Sequence, residues 1–152
     1  MDDEAGTPIT PKLVGALYTE AMLLADEARF YFDSAGREDR DSLDPFARVG
    51  FSCESLKVTT RLMHVIAWLL TQRAVETGEL SRAQAASPSR RLGEEPESDD
   101  ALLPRLPESA RALIEASRDL FERVRRLDQC GVALEPVPSP ARSLLSRLER
   151  SL

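Results

Sequence analysis

The sequence is poor in the residues that catalysis and metal binding most often use. Its 152 residues include one histidine, His64, and two cysteines, Cys53 and Cys130, which stand far apart. The paired Cys and His spacings of zinc sites, the glycine-rich loops that hold phosphates and the G-x-S-x-G turn of serine hydrolases are all missing. The sequence therefore indicates a protein that is not an enzyme, and it predicts neither a cofactor nor a metal ion.

Long apolar runs are also missing. The longest, from Val65 to Leu70, is far shorter than the roughly 20 residues that a membrane helix needs. The first ten residues, MDDEAGTPIT, are acidic and lack the apolar core of a secretory signal. We therefore expect a cytoplasmic protein without membrane contact. Both cysteines fall on apolar helical positions, so we expect buried, reduced thiols.

Concentrated positive charge is a third absence. The net charge is −6, and residues 1–44 carry eleven acidic side chains against four basic ones. The nearest approach to a basic patch is Arg123, Arg125 and Arg126, which is interleaved with acidic residues such as Glu122. Nucleic-acid surfaces need a concentrated positive footprint, so no nucleic-acid partner is expected. A DNA-associated or other helical regulatory protein stays open as the alternative function, because short helical proteins with polar Thr-Thr-Arg segments can bind DNA.

Aromatic residues make up only 5% of the chain, and leucine, alanine and valine occupy the apolar positions at helical spacing. Two helix starts are marked by Thr10-Pro11 and Asp44-Pro45, in which a capping residue precedes the proline favoured in the first turn. The sequence predicts an all-α fold, a three-helix bundle with one long central helix. The predicted helices cover about 10–34, 44–78 and 107–130.

Polar segments surround the predicted bundle, which spans 10–131. Residues 1–9 are predicted to be disordered, and the acidic loop 87–106 is predicted to be mobile. Residues 132–152 form a proline-containing tail with room for one short amphipathic helix, which is too short to be stable alone in water. That helix would dock on the bundle or on a partner. Its docking side chains would be Leu144, Leu145 and Leu148.

The central helix is apolar on more than one side. One stripe has alternating spacings of four and three residues, and consists of Val49, Cys53, Leu56, Thr60, Met63, Ala67, Leu70 and Ala74. A second set lies off that stripe, and consists of Val58, Leu62, Val65, Ile66 and Leu69. A helix that is apolar on every side must be buried on every side, and two neighbouring helices do not bury it completely. The sequence therefore predicts a homodimer formed through this helix.

Polar side chains interrupt the same stretch, among them Thr59, Thr60, Arg61 and His64. The threonine hydroxyls can bond back to the helix backbone while their methyl groups pack. Alternatively, these residues set the register of a helix–helix interface or receive a bound protein. Both interpretations stay open, and His64 is expected to be a packing or interface residue.

Residues 44–81 contain long and unusual motifs: ESLKVTTRLM, the AWLL that follows it, and QRAVETGELS. A further block, YFDSAGREDR, covers residues 31–40. These motifs resemble the signature of the alphaproteobacterial family named for RcdA, the regulator of CtrA degradation. They cover about a third of the chain, and the helical layout on either side agrees.

The resemblance implies a homodimeric three-helix bundle that acts as an adaptor in regulated proteolysis. Such an adaptor delivers cargo, including cell-cycle transcription regulators, to a ClpXP protease that a response-regulator-type factor has primed. The resemblance also implies a cyclic-di-GMP effector that extends the adaptor chain, and a position at the cell pole. Partner or dimer contacts are predicted on the central helix at Leu56, Thr59, Thr60, Arg61, Met63, Ile66, Trp68 and Leu70.

Overall fold

A computed structural model describes residues 9–133 and 147–151 of the chain. These residues are helical or irregular and include no strand, so the all-α prediction is confirmed. Within the described ranges no helix combines the length and apolar character that crossing a membrane requires. The elements are α1 (Pro11–Phe30), a π-helical turn (Tyr31–Ala35), α2 (Arg37–Asp41), α3 (Pro45–Glu76), α4 (Arg82–Ala85), two 3-10 turns (Pro88–Arg90 and Leu103–Arg105) and α5 (Glu108–Ala133). Residues 147–151 are also helical.

Local side chains set the ends of the main helices. The Thr10 hydroxyl accepts the Leu13 N–H at 3.1 Å, and the Asp44 carboxylate accepts the Ala47 N–H at 2.9 Å. The hydrogen bond from Ala47 and the ion pair with Arg105 together hold the pKa of the Asp44 carboxyl below its usual range. The chain leaves α3 at Gly78, whose φ of +81° lies in the left-handed region that glycine adopts without strain.

α1 packs antiparallel against α3. At one end of the pair the rings of Phe32 and Phe51 meet edge to face, with centroids 5.2 Å apart. At the other end the guanidinium of Arg73 lies 4.3 Å from the centre of the Tyr18 ring. The two helices are therefore in contact over nearly the full length of α1.

α5 lies beside α3 and runs parallel to it. Arg61 hydrogen-bonds Ser117, and Trp68, two turns further along α3, hydrogen-bonds Asp128 further along α5. Short loops join antiparallel neighbours, whereas parallel neighbours need a long return. Residues 77–107 make that return along the groove between α3 and α5.

We call residues 91–106 of this return the strap. The sequence predicted a mobile acidic loop here, but the strap is held against α3 and α5 by its polar side chains and by two buried leucines, Leu102 and Leu106. These contacts were not predicted because a polar segment was expected to face only water. Its polar partners on α3 and α5 lie far away in the chain.

The side of α3 that faces the core carries four residues of the second apolar set, Val58, Leu62, Val65 and Leu69, and not the first stripe. The core side chains of α3 are Ala47, Phe51, Val58, Leu62, Val65, Trp68 and Leu69. The stripe that begins at Val49 faces the opposite way. Both cysteines are exposed, so the prediction of buried thiols is wrong. Cys53 belongs to the outward stripe, and Cys130 lies on the outer side of the last turns of α5.

Asp128 ties the strap to both long helices. Its carboxylate accepts the Trp68 indole N–H at 2.9 Å and two N–H groups of Arg91 at 2.8 and 2.9 Å, and it is largely buried. We expect Asp128→Ala to lower the free energy of unfolding by about 2–4 kcal/mol, because it leaves a buried indole N–H and a guanidinium without an acceptor. Urea unfolding followed by Trp68 fluorescence measures this loss.

The matched control is Asp119→Ala, which removes an exposed carboxylate paired with Arg123 on the same helix. An exposed pair contributes at most about 1 kcal/mol, so this variant should unfold close to the unaltered chain. Equal losses in the two variants would contradict the structural role of Asp128.

Candidate functional site

The outward face of α3 carries a continuous apolar row. We call its members the seam, and they are the stripe residues Val49, Cys53, Leu56, Thr60, Met63, Ala67, Leu70 and Ala74. Four large side chains recur every seven residues, and their exposed fractions are 64% for Val49, 68% for Leu56, 63% for Met63 and 48% for Leu70. Isolated exposed apolar residues are ordinary, but a regular row of them marks an interaction surface.

The spacing of the seam is that of a coiled coil. Its members alternate at four and three residues, which keeps them on one side of a helix that pairs with another helix. Large residues at one heptad position alternate with Cys53, Thr60, Ala67 and Ala74 at the other. The seam extends roughly 38 Å at 1.5 Å per residue. It can therefore take a partner helix of about seven turns.

A groove opens beside the seam, between α1 and α3. It has a volume of about 350 Å³, and one wall consists of Ala25, Ala28 and Arg29 of α1 with Phe32 and Asp33 of the π-helical turn. The α3 wall consists of Ser55, Thr59, Leu62, Met63 and Ile66. Met63 thus belongs to both the groove and the seam, and the two features form one mostly apolar surface.

The threonines on this surface bond within their own helix. Thr59 donates to the Ser55 carbonyl at 3.1 Å, and Thr60 donates to the Leu56 carbonyl at 3.0 Å. Such bonds from a threonine hydroxyl to the carbonyl one turn earlier are common within helices. Because each hydroxyl proton is used inside α3, these residues add little polarity to the outer face.

The predicted contact residues divide into two groups. Six lie on the seam or line the groove beside it: Leu56, Thr59, Thr60, Met63, Ile66 and Leu70. Arg61 and Trp68 are buried, on the opposite side of α3, against α5 and the strap. These two side chains hold the fold, and a protein bound at the seam does not touch them. Val49 is not among the predicted contact residues, although its seven-residue spacing from Leu56 places it on the seam.

The tail is described only in part. Leu148 is exposed, and the other two predicted docking residues, Leu144 and Leu145, lie outside the described residues. Its predicted docking site on the bundle therefore stays a prediction.

The clustered arginines near the middle of α5 are paired. Arg123 contacts Glu20 and Asp119, and both Arg125 and Arg126 contact Glu122. Each of these arginines has a carboxylate beside it, so the sequence's nearest approach to a basic patch is neutralised locally. Over residues 9–133 and 147–151, no three His, Cys, Asp or Glu side chains come together as a metal site would require.

Comparisons with known proteins agree with this architecture. Residues 6–152 match the model of a family described as a protein of unknown function, DUF1465. Among solved structures, the crystal structure of RcdA from Caulobacter crescentus CB15 is similar, with a TM-score of 0.64 and 36% sequence identity, over 80% of this chain and 92% of that one. No curated protein gave a match.

Proposed function

We infer the function from the premise that this chain belongs to the RcdA family, as its match to the DUF1465 model and its 36% identity to RcdA over 80% of its length establish. We propose that it is a non-enzymatic adaptor that binds other proteins and delivers cargo to a ClpXP protease. A response-regulator-type factor primes the protease, and a cyclic-di-GMP effector extends the adaptor chain. We expect it to act in the cytoplasm, at the cell pole.

The seam is the observation that carries this proposal. It offers four large apolar side chains to a helix of another molecule, and the groove between α1 and α3 widens the same surface. A surface of this kind binds proteins by packing, and it needs no reactive group. An adaptor requires such a surface on a stable scaffold, and α1 and α5 supply that scaffold by covering the opposite side of α3.

We also propose that the seam forms a homodimer. With its large residues in one heptad position and its small ones in the other, two copies can place the large side chains of each α3 beside the small residues of the other. This explains why the outward row is apolar although the core of the chain is already complete on the inward side of α3.

The experiment that tests the adaptor role is degradation of a cell-cycle transcription regulator by purified ClpXP, with and without the priming factor and this chain. We expect an acceleration of about tenfold or more only when both are present, because tethering raises the local concentration of cargo at the protease. Unchanged degradation in the presence of the folded chain would overturn the adaptor role and leave a helical binding protein with a different partner.

A further inference from the structure

The strap lies in the groove between α3 and α5 like an extended peptide in a binding site. It runs antiparallel to α3. The Glu94 carbonyl lies 3.0 Å from the Nδ1 atom of His64, while Ser98, four residues later, reaches back to Glu54. The strap therefore follows α3 for nearly three turns, and the α3 side chains beneath it contact it in sequence.

Arg61 makes the largest set of these contacts. Its Nε donates to the Glu95 carboxylate at 3.1 Å, and its Nη2 donates to the Pro96 carbonyl at 2.9 Å and to the Ser98 hydroxyl at 2.7 Å. The guanidinium is fully buried beneath the strap and also donates to Ser117 of α5. Arg61 thus recognises a carboxylate, a backbone carbonyl and a hydroxyl within four consecutive residues.

Glu54, two turns before Arg61, completes the recognition of the same serine. Its carboxylate accepts the Ser98 hydroxyl at 2.5 Å and the Asp99 N–H at 3.2 Å. Burial raises the pKa of Glu54, but the hydrogen bonds from Ser98, Lys57 and Asp99 outweigh it and hold the pKa below its usual range. Ser98 therefore donates to one charged α3 side chain and accepts from another.

The surface of the groove beneath residues 93–101 of the strap is polar. Leu92 is partly buried and Leu102 is buried, but none of the residues 93–101 between them is buried. Lifting this part exposes Arg61, Glu54 and Ser117, which water can solvate, and it removes no side chain of the apolar core. Segments that expose little apolar surface on opening are those that open below the free energy of global unfolding.

We propose that residues 93–100 are a releasable cover, and that the groove beneath them binds an acidic segment of a partner protein, extended in conformation, with a carboxylate three residues before a hydroxyl. Charge complementarity supports this occupant. Five of the eight covering residues are acidic, and the groove offers Arg61, Lys57 and Arg118, which donates to Asp100 at 2.9 Å. Against these three cations stands one groove carboxylate, Glu54, which pairs with Lys57.

A partner's segment is a better occupant than the strap of a second copy. An exchanged strap would have to leave together with its anchors, Leu102 and the Arg91–Asp128 ion pair. A partner's segment needs only residues 93–100 to lift while both anchors stay in place. The site is centred on Arg61 and Glu54, which are buried away from the seam, so it is separate from the proposed adaptor surface.

The test uses the full chain with residues 93–100 replaced by eight glycines and serines, and a fluorescent peptide of residues 92–101. We expect saturable binding to this variant, about tenfold or more tighter than to the unaltered chain, because there the tethered cover competes at high effective concentration. A peptide with Glu95→Gln and Ser98→Ala should bind at least about tenfold more weakly, since both contacts to Arg61 are weakened or lost. Absence of binding to the folded variant, or equal binding of the two peptides, would overturn the proposal.

Hydrogen exchange of the unaltered chain gives an independent test that needs no variant. We expect the Asp99 amide, which is bonded to Glu54, to exchange through an opening that leaves the amides in the middle of α3 protected. Exchange of Asp99 only as slowly as those amides would mean that the cover leaves only on global unfolding, and would overturn the proposal. A dimer in which the strap of one copy cross-links to the groove of the other would replace the partner by a second copy and would also overturn it.

Discussion

Replacing Arg61 with methionine is expected to lower the free energy of unfolding by about 3–5 kcal/mol, although methionine fills much of the same volume. The change removes four hydrogen bonds, to Glu95, Pro96, Ser98 and Ser117. It also removes the favourable interaction of the Arg61 charge with the buried carboxylate of Glu54, which keeps its ion pair with Lys57. Urea unfolding followed by circular dichroism measures the loss.

The control for Arg61→Met is Arg126→Met on α5. Arg126 is exposed and pairs with Glu122, so its replacement should change the free energy of unfolding by no more than about 1 kcal/mol. If residues 93–100 lift in the Arg61 variant, water can solvate Glu54. The loss in the free energy of unfolding should then be closer to about 3 kcal/mol than to about 5 kcal/mol. A loss as small as that of the control would show that Arg61 does not hold the strap.

Glu54 and Arg61 are also expected to be coupled. Ser98 bridges them, so a chain with both Glu54→Gln and Arg61→Met should lose less stability than the two single losses added together. Additive losses would contradict a shared network under the strap.

Charging the seam is expected to dissociate the homodimer. Leu56→Glu combined with Met63→Glu places two carboxylates on each copy in the middle of the proposed interface. Dimerisation would then have to desolvate these charges, which costs free energy. We expect a loss of about 3 kcal/mol or more in dimerisation, a roughly 100-fold rise in the dissociation constant. Light scattering after size-exclusion chromatography, over a range of protein concentrations, measures it.

The matched control places the same two charges elsewhere at the same spacing. Leu23 and Phe30 lie seven residues apart on α1, with exposed fractions of 65% and 67%, close to those of Leu56 and Met63. Leu23→Glu with Phe30→Glu should leave the dimer intact, because these side chains face away from the seam. Both variants should stay folded, since all four positions are exposed. A dimer that survives in the seam variant, or that also dissociates in the α1 variant, would contradict the assignment.

The two faces of α3 show where sequence reasoning succeeds and where it stops. Spacing identified both apolar sets, because residues three and four apart share a side of a helix whatever surrounds it. Spacing does not say which set faces inward. Val65 and Met63 are equally good core residues by type, yet one is buried and the other is exposed, and this depends on where α1 and α5 pack. Cys53 was misplaced for the same reason.

The sequence alone determined the all-α class and the capped starts of α1 and α3, because helical periodicity and capping act over three or four residues. The motifs around α3 identified the family in the same local way. The parallel course of α5 and the ordered strap were decided only in the tertiary structure. The side-chain contacts that hold them to α3 join residues 30 to 60 positions apart, from His64 and Glu94 to Trp68 and Asp128. From sequence alone, an acidic stretch predicts a solvated loop. Only the folded chain places the buried Arg61 against this one.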